Sequence, residues 1–359
     1  MAGGMVQDNY PNWPVKAILR DGVMGLLARS YARSPFLQHQ LVTALYRALL
    51  HREPDVEGLQ AHVAALRGGM SLETLLGEFH RSDEFLRKFR PGDSMFPLDG
   101  APAMEVQTSY SDAERDAIWA HIGEVWSGFG ETDPYWSVMV HEDWRAAKMN
   151  RAETLDAFYR TGEAHAGRMW AWAARNQVAL SEDMVCAEYG CGVGRVTHVL
   201  ARRFRRVIAF DISQPHLDAA RARLTAQGIT NVDYVLVRGP GDLAALAGVD
   251  VFFSLIVLQH NPPPIMLDIL DRAFAGLRPG GVAFFQVPTY ALGYSFSVAR
   301  YFETLAKEAT MEMHFLPQRM VLQAGRRHDT HPLEVQPDAA IDHHGLWISN
   351  AFLMRKGPD

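Results

Sequence analysis

At 359 residues, with 48% hydrophobic and 21% charged residues, the chain has globular composition and room for about two or three domains, which excludes intrinsic disorder. A formal net charge of -6 counts against a dedicated nucleic-acid binder, and the most apolar stretch, Val249 to Leu258, is too short to span a bilayer. The two cysteines, Cys186 and Cys191, fall in one expected strand and the loop leaving it, and Met1-Ala2-Gly3-Gly4-Met5 does not read as a signal peptide; a soluble cytoplasmic protein with no structural disulfide and no membrane insertion is expected.

Residues 1–33 carry Pro11, Pro14 and several glycines and read as an irregular lead-in. Residues 34–92 then turn helical. Leu37, Leu41, Val42, Leu45 and Leu49 keep to one face at helical spacing. Asp55 can cap a second helix whose apolar face is Val56, Leu59, Val63 and Leu66 and which Gly68-Gly69 stops. Leu72, Leu75, Leu76 and Phe79 mark a third, and Ser82 can cap a short fourth ending before Pro91. No catalytic constellation falls in this unit. Its pattern of Leu45-Tyr46-Arg47, Arg52-Glu53-Pro54-Asp55, Gly58-Leu59, Ser71 and Ser82-Asp83-Glu84-Phe85 resembles a phycobilisome-linker-like bacterial helical domain of unknown function. That domain recurs in surface-layer proteins and in enzymes of cell-surface glycan assembly, so the resemblance implies a protein partner bound through this unit.

Residues 93–150 read as a linker followed by a helical lid. Ser111 with Glu114 three residues on forms a capping box that opens a helix toward Trp126. Trp136, Trp144, Trp170 and Trp172 crowd a mostly helical stretch up to Asn176; most serve packing, and some can close over a site. From Met184 the rhythm changes. Met184–Tyr189, Val207–Asp211, Val232–Val237, Val249–Ser254 and Val282–Val287 read as strands, with helices over 195–203, 215–227 and 263–277 between most of them and a last strand over 347–355. That alternation predicts an α/β domain over 151–359, a parallel sheet with helices on both faces.

Glu188-Tyr189-Gly190-Cys191-Gly192-Val193-Gly194 leaves the first of these strands and opens a helix. Glycines there permit a tight turn and close approach of a ligand to the backbone. Asp211 ends the second strand, 17 residues after Gly194, where a carboxylate can accept hydrogen bonds from both hydroxyls of a ribose. Glu188 lies beside the loop, where a cationic amino group would sit. Gly241-Asp242-Leu243 follows the third strand, within reach of an adenine amine. A dinucleotide fingerprint needs glycine at its sixth position, which is Arg195 here, or Thr197 if the count starts from Gly192. A nicotinamide cofactor is therefore disfavoured, and a ligand without pyrophosphate, such as S-adenosylmethionine, fits better.

On these residues the segment resembles the class I S-adenosylmethionine-dependent methyltransferase family. The resemblance implies a Rossmann-like seven-stranded sheet with its last strand antiparallel, preceded here by the small all-helical domain. It implies that Glu188 orients the methionine amino group and that Gly190, Cys191, Gly192 and Gly194 form the loop along the methionine part. It implies that Asp211 holds the ribose, Ile212 flanks the adenine, Asp242 and Leu243 contact its ring, and Ser254 lies near the sulfonium. Three longer stretches resemble a bacterial subgroup associated with surface polysaccharides: Ser254 to Pro264, Phe285-Gln286-Val287-Pro288-Thr289-Tyr290 and Met311-Glu312-Met313-His314. That resemblance names no acceptor; O-methylation of a sugar or surface-glycan precursor is the expected reading.

A hydroxyl acceptor must lose a proton, so a general base is expected beyond the carboxyl ends of the strands. His260, with an ordinary pKa near ~6.5, is the candidate base, and Gln286 and Tyr290 are candidates to orient the acceptor, with His314 in reserve. Each also has a plainer reading: His260 as a helix-entry residue, Gln286 as a partner for backbone groups, Tyr290 as packing. His343-His344 lacks a third ligand, so no metal site is expected. Asn261-Pro262-Pro263-Pro264 departs from the motif of amino-group methyltransferases, because Ser254 ends the fourth strand and Pro264 stands where that motif has an aromatic. The leading class is an O-methyltransferase of a small molecule or glycan. Its competitors are a protein or other small-molecule N-methyltransferase and a non-catalytic cofactor-binding adaptor. Acidic net charge disfavours a nucleic-acid acceptor, and the intact loop with Asp211 disfavours the adaptor.

Overall fold

A computed structural model describes residues 35–50, 52–82, 84–85, 102–305, 311–338 and 347–358. The expected lead-in, most of the fourth helix, the stretch 93–101 and His343-His344 lie outside them. The chain divides into two compact units, 1–101 and 102–359. The lid segment 102–150 therefore belongs with the sheet, and the boundary expected at 150/151 falls inside the second unit.

The first unit holds α1 (Pro35–Leu50), α2 (Val56–Arg67) and α3 (Leu72–Arg81). Asp55 accepts from the Gly58 N–H at 2.7 Å and Ser71 from the Thr74 N–H at 3.0 Å, so both expected caps form. The buried stripe of α1 is Gln38, Val42, Tyr46 and Leu50, one step round from the leucine face read in the sequence. The reason is Tyr46. Its ring meets Phe79 edge-on at 5.0 Å and His62 at 5.7 Å, and an aromatic anchor turns the helix toward itself. Val56, expected on the apolar face of α2, is exposed.

The second unit runs β1 (Glu105–Val106), α4 (Asp112–Thr132), α5 (Pro134–Val138), α6 (Ala152–Arg175), β2 (Val185–Tyr189), α7 (Thr197–Ala201), β3 (Arg206–Asp211), α8 (Gln214–Ala226), β4 (Val232–Leu236) and β5 (Val249–Ser254). It continues with α9 (Pro263–Gly276), β6 (Leu277–Ala291), β7 (Ser295–Phe296), α10 (Val298–Thr304), α11 (Gln318–Arg327), β8 (Thr330–Pro337) and β9 (Trp347–Lys356). Seven strands form one sheet in the order β4-β3-β2-β5-β6-β9-β8. The first five pair in parallel, while β9 runs antiparallel to both β6 and β8. This is the Rossmann-like methyltransferase sheet. Strand order reverses between β2 and β5, and the crevice beyond the carboxyl ends of those two strands is where such sheets receive ligands.

Alternation along the strands makes two cores. Ile208, Phe210, Phe252, Phe285 and Phe352 face one layer, with Ile118, Trp119 and Ile122 of α4 in the same cluster. Cys186, Val207, Val251, Phe253, Phe284 and Leu353 face the other, covered by Met169 and Trp172 of α6. The capping box at the start of α4 forms, with Glu114 accepting from the Ser111 N–H at 2.7 Å and Ser111 from the Glu114 N–H at 3.3 Å. Cys186 and Cys191 are both free and buried. Among the described residues no helix is long and apolar enough to cross a membrane, and no group of three or more acidic, histidine or cysteine side chains could hold a metal ion.

Candidate active site

The glycine loop sits at the switch point. Gly190 and Gly192 have φ of 78° and 51°, in the left-handed region that favours glycine. Space demands glycine as well: a Cβ at Gly190 would lie 2.4 Å from the Val257 methyls, and one at Gly192 2.5 Å from Val138 Cγ2. The loop is braced from three sides. The Phe210 carbonyl accepts from the Gly190 and Cys191 N–H groups at 2.8 and 2.9 Å. Asp211 accepts from the Gly192 N–H at 2.7 Å through one carboxylate oxygen and from the Ser213 N–H at 2.9 Å through the other. From α6, the Tyr159 hydroxyl donates to the Val193 carbonyl at 2.9 Å. In the same helix a Cβ at Gly162 would lie 1.9 Å from the Arg195 carbonyl oxygen, so only glycine lets α6 come this close.

One cavity opens beside this loop, lined by Glu188, Gly190, Cys191, Gly192, Asp211, Ile212 and His260. Those seven of the expected site residues are brought together. Glu188 is buried, and its Oε2 has no hydrogen-bond partner among the described residues. Burial pushes its carboxyl up to about 8, against the pull of Thr197 and of the Arg195 guanidinium.

The other six lie elsewhere. Gly194 packs behind the loop against Ala220 and Leu224 of α8. Asp242 closes its own turn by accepting from the Arg238 N–H at 2.7 Å, and Leu243 is buried in the core. Ser254 donates to the Tyr189 carbonyl at 2.9 Å, tying β5 to β2. Tyr290 donates to the Pro102 carbonyl at 3.2 Å, away from the cavity. Gln286 is buried and serves its neighbours: its Oε1 accepts from the Ile256 N–H at 3.1 Å, and its amide donates to Gln259 Oε1 and Ser349 Oγ at 3.1 and 2.6 Å. Ile256 lines the cavity at φ 60°, a left-handed conformation that is strained for a β-branched residue. Gln286 thus ties its side-chain oxygen to the backbone of this left-handed turn.

His260 does reach the cavity, with its character changed. Its Nδ1 lies 2.7 Å from the Glu312 carbonyl, which places a proton on Nδ1, and Nε2 faces the Gln259 amide nitrogen at 3.2 Å. The ring packs against Trp126 at 5.2 Å. Burial lowers its pKa to about 4, the Glu312 carbonyl opposing and His314 assisting. The expected ordinary value near ~6.5 is thus corrected. Behind it, Glu312 accepts from Tyr301 and His314 at 3.0 Å each, His314 meets the Tyr294 hydroxyl at 3.0 Å, and His121 stands 3.4 Å from Glu312. Burial opposes ionisation of Glu312, but His314 and Tyr301 hold its carboxyl below the ordinary value.

Among the cavity residues that carried no functional expectation in the sequence are Ser137, Val138, Arg195 and His216. Ser137 meets His216 Nε2 at 2.9 Å and so fastens α5 to α8, with Val138 laid over Gly192. The signal for Arg195 was its place directly after the third glycine, where a charged side chain must enter the fold with the helix.

Residues 187–281 match a family model described as a methyltransferase domain. This segment is a class I methyltransferase domain. Residues 28–89 match a model described as a domain of unknown function (DUF4214). The trans-aconitate 2-methyltransferase of Rhizobium leguminosarum bv. trifolii is 32% identical over 114 residues, 31% of this chain and 41% of that protein. The tRNA/tmRNA (uracil-C(5))-methyltransferase of Sulfurimonas denitrificans is 26% identical over 143 residues, 40% of this chain and 38% of that protein. The chain thus spans about two fifths of the length of these curated relatives. Among solved structures, magnesium protoporphyrin IX methyltransferase from Synechocystis PCC 6803 with bound SAH aligns at 16% identity and a TM-score of 0.46, over 66% of this chain and all of that one.

Proposed function

We propose that this chain is an S-adenosylmethionine-dependent O-methyltransferase acting on a small molecule or glycan precursor. The observation that carries the reading is Glu188 Oε2, a buried carboxyl oxygen at the edge of the glycine loop with no hydrogen-bond partner among the described residues. Such a group asks for a cation, and the methionine part of S-adenosylmethionine brings an ammonium. The residues present fit the rest of the cofactor. Gly190 and Gly192 leave the backbone bare for it, Asp211 keeps lone pairs for the ribose hydroxyls, and Ile212 offers an apolar flank for the adenine. When bound, the cofactor supplies a methyl group already activated by its sulfonium. The chain's own part is to orient that group and exclude water, with Trp126, Ser137 and Val138 covering the cavity.

The acceptor reading starts from the resemblance of residues 254–264, 285–290 and 311–314 to a subgroup associated with surface polysaccharides; that resemblance names no acceptor, and a sugar hydroxyl is the proposal. A second reading is favoured by His260. A histidine held near 4 is a weak base, so it suits an acceptor that is already ionised, such as a carboxylate. Trans-aconitate, named in one relative, is an acid of that kind. The helical unit is proposed as a partner-binding module of the phycobilisome-linker-like type, and the cytoplasm, where the methyl donor is made, as the compartment.

Transfer from methyl-labelled S-adenosylmethionine is the test, with nucleotide sugars, uronic acids and surface-glycan precursors as acceptors. Alkali-stable label on a neutral sugar supports the hydroxyl reading. Alkali-labile label on a uronic acid supports the carboxylate reading. No transfer to any of them, with transfer to protein or RNA instead, contradicts both.

A further inference from the structure

Glu188 is not the only buried ionisable group in the cavity with a polar atom left unpartnered among the described residues. Arg195 is 3% exposed and also lines it. Its Nη1 donates to Thr161 Oγ1 at 3.2 Å and to His165 Nδ1 at 3.1 Å. Among the described residues its buried Nε has no hydrogen-bond partner, and Glu188 acts on the guanidinium only through space. His165 does not share the charge: burial, with Arg195 beside it, lowers its pKa to about 4, so it stands neutral and accepts. Both props come from α6, one turn apart, and Gly162 between them allows the close seating that aims the guanidinium.

Arg195 and Glu188 attract each other only through space, and Arg195 Nε and Glu188 Oε2 each keep an open position, which is costly for buried groups unless a ligand pairs with both. The ligand that does so carries an ammonium and a carboxylate on neighbouring atoms. A pyrophosphate would satisfy the arginine and leave Glu188 facing an anion. A lone metal ion or polyamine would do the reverse. We infer that Arg195 is the anion-binding half of an amino-acid subsite, seating the α-carboxylate of S-adenosylmethionine while Glu188 takes its ammonium. The inference rests on the cofactor reading above and adds to it a residue and a selectivity.

Two probes that differ only in the carboxylate test it: S-adenosylmethionine and its decarboxylated form, titrated into the full chain by calorimetry. The unaltered protein is expected to bind the carboxylated form about ten- to a hundredfold tighter, the range of one charge-assisted hydrogen bond. Arg195→Gln is expected to erase that preference by weakening the carboxylated form alone. In the unaltered protein, the Arg195 Nε–H resonance should shift with S-adenosylmethionine and stay in place with the decarboxylated form; this measurement stands if the variant fails to fold. Equal affinities in the unaltered protein, an equal loss of both in the variant, or an unmoved resonance would each overturn the subsite. If neither probe binds the unaltered protein, the cofactor reading itself falls.

Discussion

At the residue scale, Glu188 makes a prediction about protons. In the free protein its carboxyl sits at about 8, above the ordinary 4.5, because burial disfavours the charge. The folded state therefore holds a proton that the unfolded state releases. Glu188 then contributes stability at low pH, and that contribution is lost as pH rises from about 4.5 to about 8. Pairing with an ammonium should drive the carboxyl to ionise. At pH 7, binding of S-adenosylhomocysteine is expected to release roughly 0.9 proton, read from calorimetry in buffers of different ionisation enthalpy. Glu188→Gln should abolish the release; a release unchanged in that variant assigns the proton elsewhere. Asp211 makes a second prediction. Its two oxygens hold the Gly192 and Ser213 N–H groups, so Asp211→Ala should weaken cofactor binding and lower stability together, by about 1.5–3 kcal/mol for each charge-assisted bond lost. A variant with native melting temperature and lost binding would show that the bracing role is small. The glycine loop and Asp211 were legible because type and spacing carry their chemistry. Arg195 was not, since a lone arginine at a helix start reads by default as solvated.

At the element scale, the contrast between two glycines of α6 tests how this helix serves the loop. A Cβ at Gly162 meets the Arg195 carbonyl, while one at Gly167 meets nothing within 4 Å. Gly162→Ala is expected to lower stability by about 1–3 kcal/mol and to impair cofactor binding, as overpacking displaces the loop. Gly167→Ala should raise stability by roughly 0.5–1 kcal/mol through helix propensity alone. Urea unfolding of the two variants checks both signs, and equal effects would mean that α6 does not bear on the loop. Element legibility followed burial. The five inner strands announce themselves as apolar runs. β8 does not: His331, Pro332, Leu333 and Glu334 point into solvent or lie half-buried, and prolines at 332 and 337 are tolerated because β8 is an edge strand. The stripe of α1 was misread by one step because leucine spacing outweighed Tyr46, whose partners His62 and Phe79 lie on other helices.

At the scale of the molecule, the helical unit and the sheet unit are separate compact bodies. A fragment over 102–359 should fold and bind cofactor with native affinity, while one starting at 151 should not. The latter loses Ile118, Trp119 and Ile122 from the core and Trp126, Ser137 and Val138 from the cavity. A stable 151–359 fragment with full affinity would restore the boundary read in the sequence. Fold class was readable at this scale because alternation of strands and helices leaves few topologies. The membership of 102–150 was not, because its contacts with the sheet unit are long-range.

The central claim is that the cavity at the β2–β5 switch point holds S-adenosylmethionine. Isothermal titration of the full chain with S-adenosylmethionine, S-adenosylhomocysteine and NAD tests it most directly. The account predicts saturable binding of the first two at one site per chain, weakened in Asp211→Ala and Glu188→Gln, and no binding of NAD. Binding of NAD with no response to either adenosyl compound would contradict it.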